Sequence, residues 1–442
     1  MVELGRTQDF ANLVRMDEGL LSARVVWDPA IFELERERIF GRRWLFIGHD
    51  SELPRAGDYV ARRMGEDPVI AWRGPDGAAR VFLNACRHRG RTVCAEDFGR
   101  AARLRCPYHG WTYDSTGALA GVPFLEAYQG RLDQSNLGLL QAPRVESYHG
   151  LIFANWDQAA PSLVGELADM AWVLDILFGR SDAVEVVGPP IRWEIPCNWK
   201  PPACNFAGDG YHLGTTHGFS KALNLRSTRG ERVGHSIDLG NGHTCAMAAW
   251  AGEIAEGPYL ALPEAIWPEI ERHLTPVQQQ VMRPLQTVIG NVFPNLSLME
   301  SGSHPPGEWA GPEGLPISFL SLRQWQPLGP DRIEAWSWLF VDRNAPDEWK
   351  ATSRACYTRE FGPAGIFEQD DVQNWASITQ SLRAPHARNL WHHYELAPEL
   401  NPSTGWLGPG KAYRQEGAFS ELAERAFYRR WLAVMEGAAV GR

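Results

Sequence analysis

Two short stretches bring sulfur and nitrogen ligands close together: CRHRG at residues 86–90 and CPYHGW at residues 106–111. Cys86 and His88 are followed, after seventeen intervening residues, by Cys106 and His109. Two thiolates and two imidazoles on two short loops suit either tetrahedral zinc or an iron–sulfur cluster. Zinc loops usually pair like ligands, as C-x-x-C or H-x(3–5)-H. Here each loop carries one of each kind. That mixture fits a [2Fe–2S] cluster with two cysteines on one iron and two histidines on the other. Pro107 and Gly110 supply the tight turn such a loop needs. A structural zinc site and a chance grouping are the alternatives.

A second constellation lies a hundred residues on, in NWKPPACNFAGDGYHLGTTHGFS at 198–220, with Asn205, Asp209, His212 and His217. His212 and His217 are five apart, so on a regular helix they would point about 140° apart. To share a metal they need a π-like bulge or a helix end at Gly214. Asp209 and His212, three apart, can share a face. A third ligand must come from elsewhere, and FGPAGIFEQDDVQNW at 361–375 offers Glu368, Asp370 and Asp371 at the start of an expected helix. Those acids could equally just complement the helix N-terminus. Two histidines and one carboxylate on one face of Fe(II) leave positions open for O2.

These residues must be held by a chain of 442 residues, long enough for two domains or one with an insertion. With 44% hydrophobic and 11% aromatic residues it can bury a sizeable core. The net charge of −10 is spread along the chain, which disfavours nucleic acid and anionic membrane as partners. Seven cysteines, an odd number thinly scattered, make a poor disulfide framework. The start has no signal-peptide layout and no apolar run reaches spanning length, so a cytoplasmic protein is expected.

Texture divides the chain. Residues 14–40 show helix-like patterning. From Trp44 to about Trp156 come short β-rich pieces such as WLFIGHD, DYVARRM, PVIAWRG and GLIFANW, with RGPDGAA as a hairpin tip. After Pro161 a helical stretch, LVGELADMAWVLDIL, leads into longer strands such as PISFLSLRQWQPL and RIEAWSWLFVD. The C-terminal SELAERAFYRRWLAVME is amphipathic. The expectation is α+β, a small β-domain within a larger domain of sheet and helices.

Taken together, C-x-H-x17-C-P-Y-H-G-W, NFAGDGYHLGTTH and FGPAGIFEQDD resemble the catalytic large (α) subunit of Rieske non-haem iron aromatic-ring-hydroxylating dioxygenases, the naphthalene and biphenyl type. The resemblance covers nearly the whole chain. It implies an N-terminal segment (1–40), a Rieske [2Fe–2S] domain (41–157) and a helix-grip catalytic domain (158–442). It also implies that Cys86, His88, Cys106 and His109 hold the cluster, and that His212, His217 and Asp371 hold the mononuclear Fe(II). Asp209 matches the bridging carboxylate and Asn205 a residue near the iron. Phe206, Leu213, Phe361 and Phe367 fall at pocket positions.

The same resemblance implies insertion of both atoms of O2 into an aromatic substrate to give a cis-dihydrodiol. It further implies electrons from a ferredoxin or a reductase, a small β subunit, and a homotrimer of α (α3 or α3β3). In the family the electron route runs between neighbouring chains, from the cluster histidine through Asp209 to His212. A Rieske monooxygenase or demethylase, or a hydroxylase of an aromatic carboxylate such as salicylate, is the alternative. Arg226, Arg229 or Arg232 could supply the cation an aromatic acid needs.

Overall fold

A computed structural model of the protein describes residues 9–222, 232–250, 259–305, 316–397, 401–415 and 420–437. Arg226 and Arg229 lie outside the described residues; Arg232 opens a strand, Arg232–Asp238. The chain separates into two compact units, Arg36–Leu163 and Met1–Glu35 with Val164–Arg442. The first boundary precedes the turn Arg36–Phe40, which the Arg36–Glu66 ion pair at 2.6 Å ties to the smaller unit.

The smaller unit is built from three antiparallel sheets. One of four strands runs Ala79–Leu83, Asp67–Arg73, Asp58–Met64, Phe98–Arg100. The expected hairpin tip closes as anticipated. Gly74 N–H donates to Ala78 O at 2.9 Å, and Gly77, at φ +82°, takes the left-handed position that a residue with a Cβ resists. Two three-stranded sheets complete the unit: Leu119–Gly121, Thr112–Asp114, Arg103–Arg105, and Arg144–Tyr148, Leu151–Asn155, Leu45–His49.

The larger unit centres on a nine-stranded antiparallel sheet. Its longest strands, Ile317–Gly329 and Arg332–Asp342, are buried along nearly their whole length, polar residues included. An antiparallel strand normally alternates buried and exposed; continuous burial means that both faces are covered. Helix Asp347–Phe361 packs on Ile317–Gly329, and the C-terminal helix Leu422–Met435 packs on Arg232–Asp238 and Thr244–Trp250. Among the described residues no helix is long and apolar enough to cross a membrane.

Two expectations of continuous helix are corrected. Within 14–40, Val14–Arg15 and Leu20–Ser22 are strands joined through Gly19 at φ +75°, and the second pairs with Trp391–His393. Backbone pairing with a distant segment overrides local periodicity there. Helix begins only at Arg24–Trp27 and Pro29–Glu35. The stretch 163–177 is two helices, Leu163–Leu167 and Met170–Phe178, broken at Ala168 with φ +48°. The Glu166 carbonyl is taken by Asn241 Nδ2 and His243 Nε2, both at 2.8 Å, so long-range hydrogen bonds replace the helical ladder.

One buried cluster ties the N-terminal segment to the rest of its unit. Glu35, 0% exposed, accepts from Lys200 Nζ (2.6 Å), Trp199 Nε1 (2.9 Å) and Trp431 Nε1 (2.7 Å). Burial pushes the Lys200 ammonium down, and the Glu35 charge counters it. Glu35→Ala removes the acceptor that the ammonium and two indole N–H groups share. The expected cost is about 3–5 kcal/mol, read as a lower unfolding midpoint in denaturant. A change below about 1 kcal/mol would contradict this.

Candidate active site

The first four candidate ligands, Cys86, His88, Cys106 and His109, lie on two loops of the smaller unit, and the two loops close in the same way. Cys86 N–H donates to Arg91 O (2.9 Å) and Cys86 O accepts from Gly90 N–H (2.8 Å). Cys106 N–H donates to Trp111 O (2.8 Å) and Cys106 O accepts from Gly110 N–H (3.0 Å). Gly90 and Gly110 both sit at φ +75°. A Cβ on Gly110 would also fall 2.9 Å from the Arg105 guanidinium and 3.0 Å from Pro123, but the left-handed φ is what favours glycine there.

Cys86 and Cys106 share one buried cluster, and His88, Cys106 and His109 line one cleft. Both cysteines are buried and free of disulfides, and the His88 and His109 rings lie 4.6 Å apart at 71°. His88 is held flat against Trp111 (4.9 Å, 7°). The Nδ1 atoms of both histidines are buried with no hydrogen-bond partner. Orphaned ring nitrogens and two buried thiols on these loops suit a group that takes four ligands. Burial, then His109 and Arg89, pushes His88 down, keeping it neutral as a ligand must be.

Tyr113 was not singled out by sequence reasoning. Its hydroxyl accepts from Arg87 N–H (3.0 Å), which leaves its own proton for Cys86 Sγ at 3.3 Å. Nothing in the spacing marks this tyrosine; only the strand Thr112–Asp114 turning back on the loops brings it there.

In the larger unit, Asn205 ends helix Lys200–Asn205, His212 stands on the 3-10 turn Tyr211–Gly214, and His217 precedes Phe219–Ala222. The five-residue spacing is thus accommodated by leaving regular helix, not by a bulge in one. Asp371 comes from helix Ile366–Ser381. Its Oδ1 lies 3.1 Å from His217 Nε2 and 3.6 Å from His212 Nε2, and one ligand atom from each residue falls within 4.8 Å of the others. Asp371 and His217 are buried and His212 is partly exposed. Two imidazoles and one carboxylate grouped on one side fit a divalent iron with open positions. Asp370 is partly exposed and Glu368 is buried; neither joins the group.

Asp209 does two things. Its Oδ1 accepts from Tyr211 N–H (2.9 Å) and His212 N–H (3.3 Å), capping the turn. Its Oδ2 faces His212 Nδ1 at 3.3 Å, with Asn205 Nδ2 also 3.3 Å away. Burial pushes the Asp209 carboxyl up, but the His212 hydrogen bond and charge outweigh it and hold it below its usual value. Burial likewise pushes His212 down, and Asp209 outweighs that and raises it. Such a carboxylate fixes the ring orientation and tautomer, leaving Nε2 for a metal. A cavity of about 390 Å³ opens beside Asn205, Asp209, His212 and Asp371 and reaches Tyr428 and Glu424.

Of the four expected pocket residues, Phe361 and Phe367 stack (5.4 Å, 14°), and Phe367 meets His217 edge-on at 4.9 Å. Phe206 is buried against Trp325 at 5.6 Å. Leu213 is 48% exposed.

Comparison with known proteins decides the kind of site. Residues 43–148 match the Rieske [2Fe-2S] domain family, and residues 314–437 match the ring hydroxylating alpha subunit (catalytic domain) family. The α subunit of biphenyl 2,3-dioxygenase from Rhodococcus jostii is 37% identical, over 97% of this chain and 91% of that protein. The chain belongs to the Rieske ring-hydroxylating oxygenase α subunits. The crystal structure of naphthalene 1,2-dioxygenase from a Rhodococcus species, bound to indole, superposes with a TM-score of 0.89 at 41% identity, covering 95% of this chain and 94% of that one. The α subunit of an N,N-dimethyl phenylurea N-demethylase from a Sphingobium species is also 37% identical, over 94% of this chain and 92% of that protein.

As a Rieske oxygenase α subunit the protein is an oxidoreductase that uses a [2Fe–2S] cluster and mononuclear non-haem iron. The purified protein is expected to be red-brown and, once reduced, to give a rhombic electron paramagnetic resonance signal, with about two labile sulfides per chain. Tyr113→Phe removes an O–H···S bond that favours the more negative, reduced cluster, so its midpoint potential shifts downward. A colourless protein with stoichiometric zinc would contradict the assignment.

Proposed function

We propose that this protein is the α subunit of an aromatic-ring-hydroxylating dioxygenase that converts an apolar arene to a cis-dihydrodiol with both atoms of one O2. The observation that carries the reading is the His212–His217–Asp371 group with the Phe361–Phe367 stack set directly against His217. An apolar aromatic wall beside a metal-binding triad suits a flat hydrocarbon ring. In this reading Cys86, His88, Cys106 and His109 hold the cluster, and His212, His217 and Asp371 hold the iron. The domain division follows the two compact units, with the N-terminal segment serving the catalytic one.

When bound, the iron is where O2 is activated, with electrons supplied by way of the cluster. The chain's own residues bind, orient and exclude. Phe206, Phe361 and Phe367 keep the ring dry and in place, Asp209 orients His212, and Asn205 holds Asp209.

The partners follow the same reading: a ferredoxin or reductase as donor, a small β subunit, and a trimer of α in which the cluster of one chain serves the iron of the next. Charge supports such a chain-to-chain fit. Residues 36–163 hold seventeen arginines and fourteen acids, a net +3, which leaves −13 on the rest of the chain. Exposed Arg87 and Arg89 flank His88 in the chain, and exposed Arg105 lines the cleft that holds His88 and His109. Opposite charges on the two units favour association of one kind with the other between copies.

A second reading has one observation behind it: the similarity to the Sphingobium N-demethylase α subunit is as high as to the biphenyl enzyme. The reconstituted system should therefore be offered mono-, bi- and tricyclic arenes, an aromatic carboxylate and an N-methylated aryl urea. A cis-dihydrodiol from an unsubstituted arene supports the proposal. Formaldehyde from the urea, with no arene turned over, would replace it with demethylation.

A further inference from the structure

Arg323 lies mid-strand in Ile317–Gly329 and is 1% exposed. Its Nη1 donates to Glu368 Oε2 at 2.6 Å and its Nη2 to the carbonyl oxygen of Phe361 at 2.7 Å. Those acceptors flank a short connection. Phe361 is the last residue of helix Asp347–Phe361, and Glu368 sits in the first turn of Ile366–Ser381. One planar fork therefore spans the link between the two helices, a geometry that a guanidinium suits and an ammonium does not. The same guanidinium carbon lies 4.9 Å from the ring centroid of Phe361 and 5.5 Å from that of Phe206.

From this cation two short paths reach the triad. Through Phe361 and Phe367, stacked at 5.4 Å, contact passes to His217 at 4.9 Å. Through Glu368 it passes along one helical turn to Asp371, three residues on and on the same face. As a device for stability alone the pair is poorly built. Arg323 Nε and Glu368 Oε1 are buried with no hydrogen-bond partner, and a half-satisfied buried ion pair is weaker than an apolar replacement. Burial pushes the Glu368 carboxyl up to about 7, and the Arg323 charge beside it works in the opposite direction.

We propose that Arg323 is a positioning residue: by clamping the connection between the two helices it sets the placement of Phe361, Phe367 and Asp371, and so the edge of an aromatic substrate that faces the iron. The substrate half of this inference rests on the ring-hydroxylating reading; the Asp371 half needs only the triad.

Two variants test it in the full protein with its cluster intact. Arg323→Lys keeps a charge beside Glu368 but cannot span both acceptors. It should melt close to the wild type and retain iron, yet change the ratio of product isomers from a substituted biphenyl at least threefold. The double variant Arg323→Met with Glu368→Leu replaces the pair by apolar side chains, a swap that buried ion pairs tolerate. It should fold, but bind added Fe(II) about tenfold more weakly, as when the support of a metal ligand is lost. A melting temperature cannot report either change. Folded variants that keep both the wild-type isomer ratio and the wild-type Fe(II) affinity would show the clamp to be structural only, and the proposal fails. A wild-type protein that hydroxylates no arene overturns the ring-hydroxylating reading instead, and the Fe(II) affinity of the double variant then decides the role of Arg323.

Discussion

Asp371→Ala is expected to remove the mononuclear iron and all product formation while the cluster spectrum stays that of the wild type. Among the described residues Asp371 is the one carboxylate within reach of both imidazoles, 3.1 Å from His217 and 3.6 Å from His212. With it gone, two histidines remain, and two neutral ligands hold divalent iron far more weakly than two plus a charge. The proposed cluster ligands belong to the other compact unit, so the absorbance and resonance signals of the cluster serve as an internal control for folding. Asp370→Ala is the matched comparison. Asp370 points about 100° away from Asp371 around the helix, is partly exposed and is outside the triad, so iron and turnover should survive. The reverse pattern would assign the ligand to the wrong acid. Metal analysis of each variant beside its spectrum decides the matter.

The second large effect concerns Asp209. Asp209→Asn keeps the side-chain size and an oxygen that can still accept from the Tyr211 and His212 backbone N–H groups. What it loses is the charge facing His212 Nδ1 at 3.3 Å. Both metals should stay bound and the cluster should still accept electrons from its donor, while product formation falls by about a hundredfold, the upper range for losing a carboxylate behind a liganding histidine. The defect should appear as slow reoxidation of a pre-reduced cluster once substrate and O2 are added. A capping role alone would cost about 1 kcal/mol of stability and leave reoxidation unchanged. Mixed assemblies then ask whether the step crosses chains. Oligomers that combine a Cys86→Ala chain with a His212→Ala chain should recover part of the activity. Verified mixed oligomers with none would argue against the route between chains.

How far the sequence carried this picture depends on how local each feature is. The two loops were legible because all four proposed cluster ligands and both turn glycines lie within 86–110, and each loop folds on its own backbone hydrogen bonds. Most strands were legible too, since turn residues bracket them; Arg332–Asp342 coincides with the stretch read as β from its sequence. Asp371 was found only by resemblance, because 154 positions separate it from His217 and nothing in its own helix distinguishes it from Asp370 or Glu368. Tyr113 and Arg323 were missed for the same reason. One looks like any strand tyrosine and the other like an ordinary strand arginine, and only tertiary contacts give them partners. The strands at Val14–Arg15 and Leu20–Ser22 were misread as helix because their pairing partner, Trp391–His393, lies at the far end of the chain.

The central claim is that the triad and its aromatic wall add both atoms of one O2 to a ring. Isotopically labelled dioxygen tests it most directly. The pre-reduced protein, taken through a single turnover with an unsubstituted arene, should yield a cis-dihydrodiol carrying label at both hydroxyl oxygens from the same O2 molecule. A phenol or an alcohol with one labelled oxygen and the other released as water would contradict the claim and make the protein a monooxygenase built on the same two metal sites.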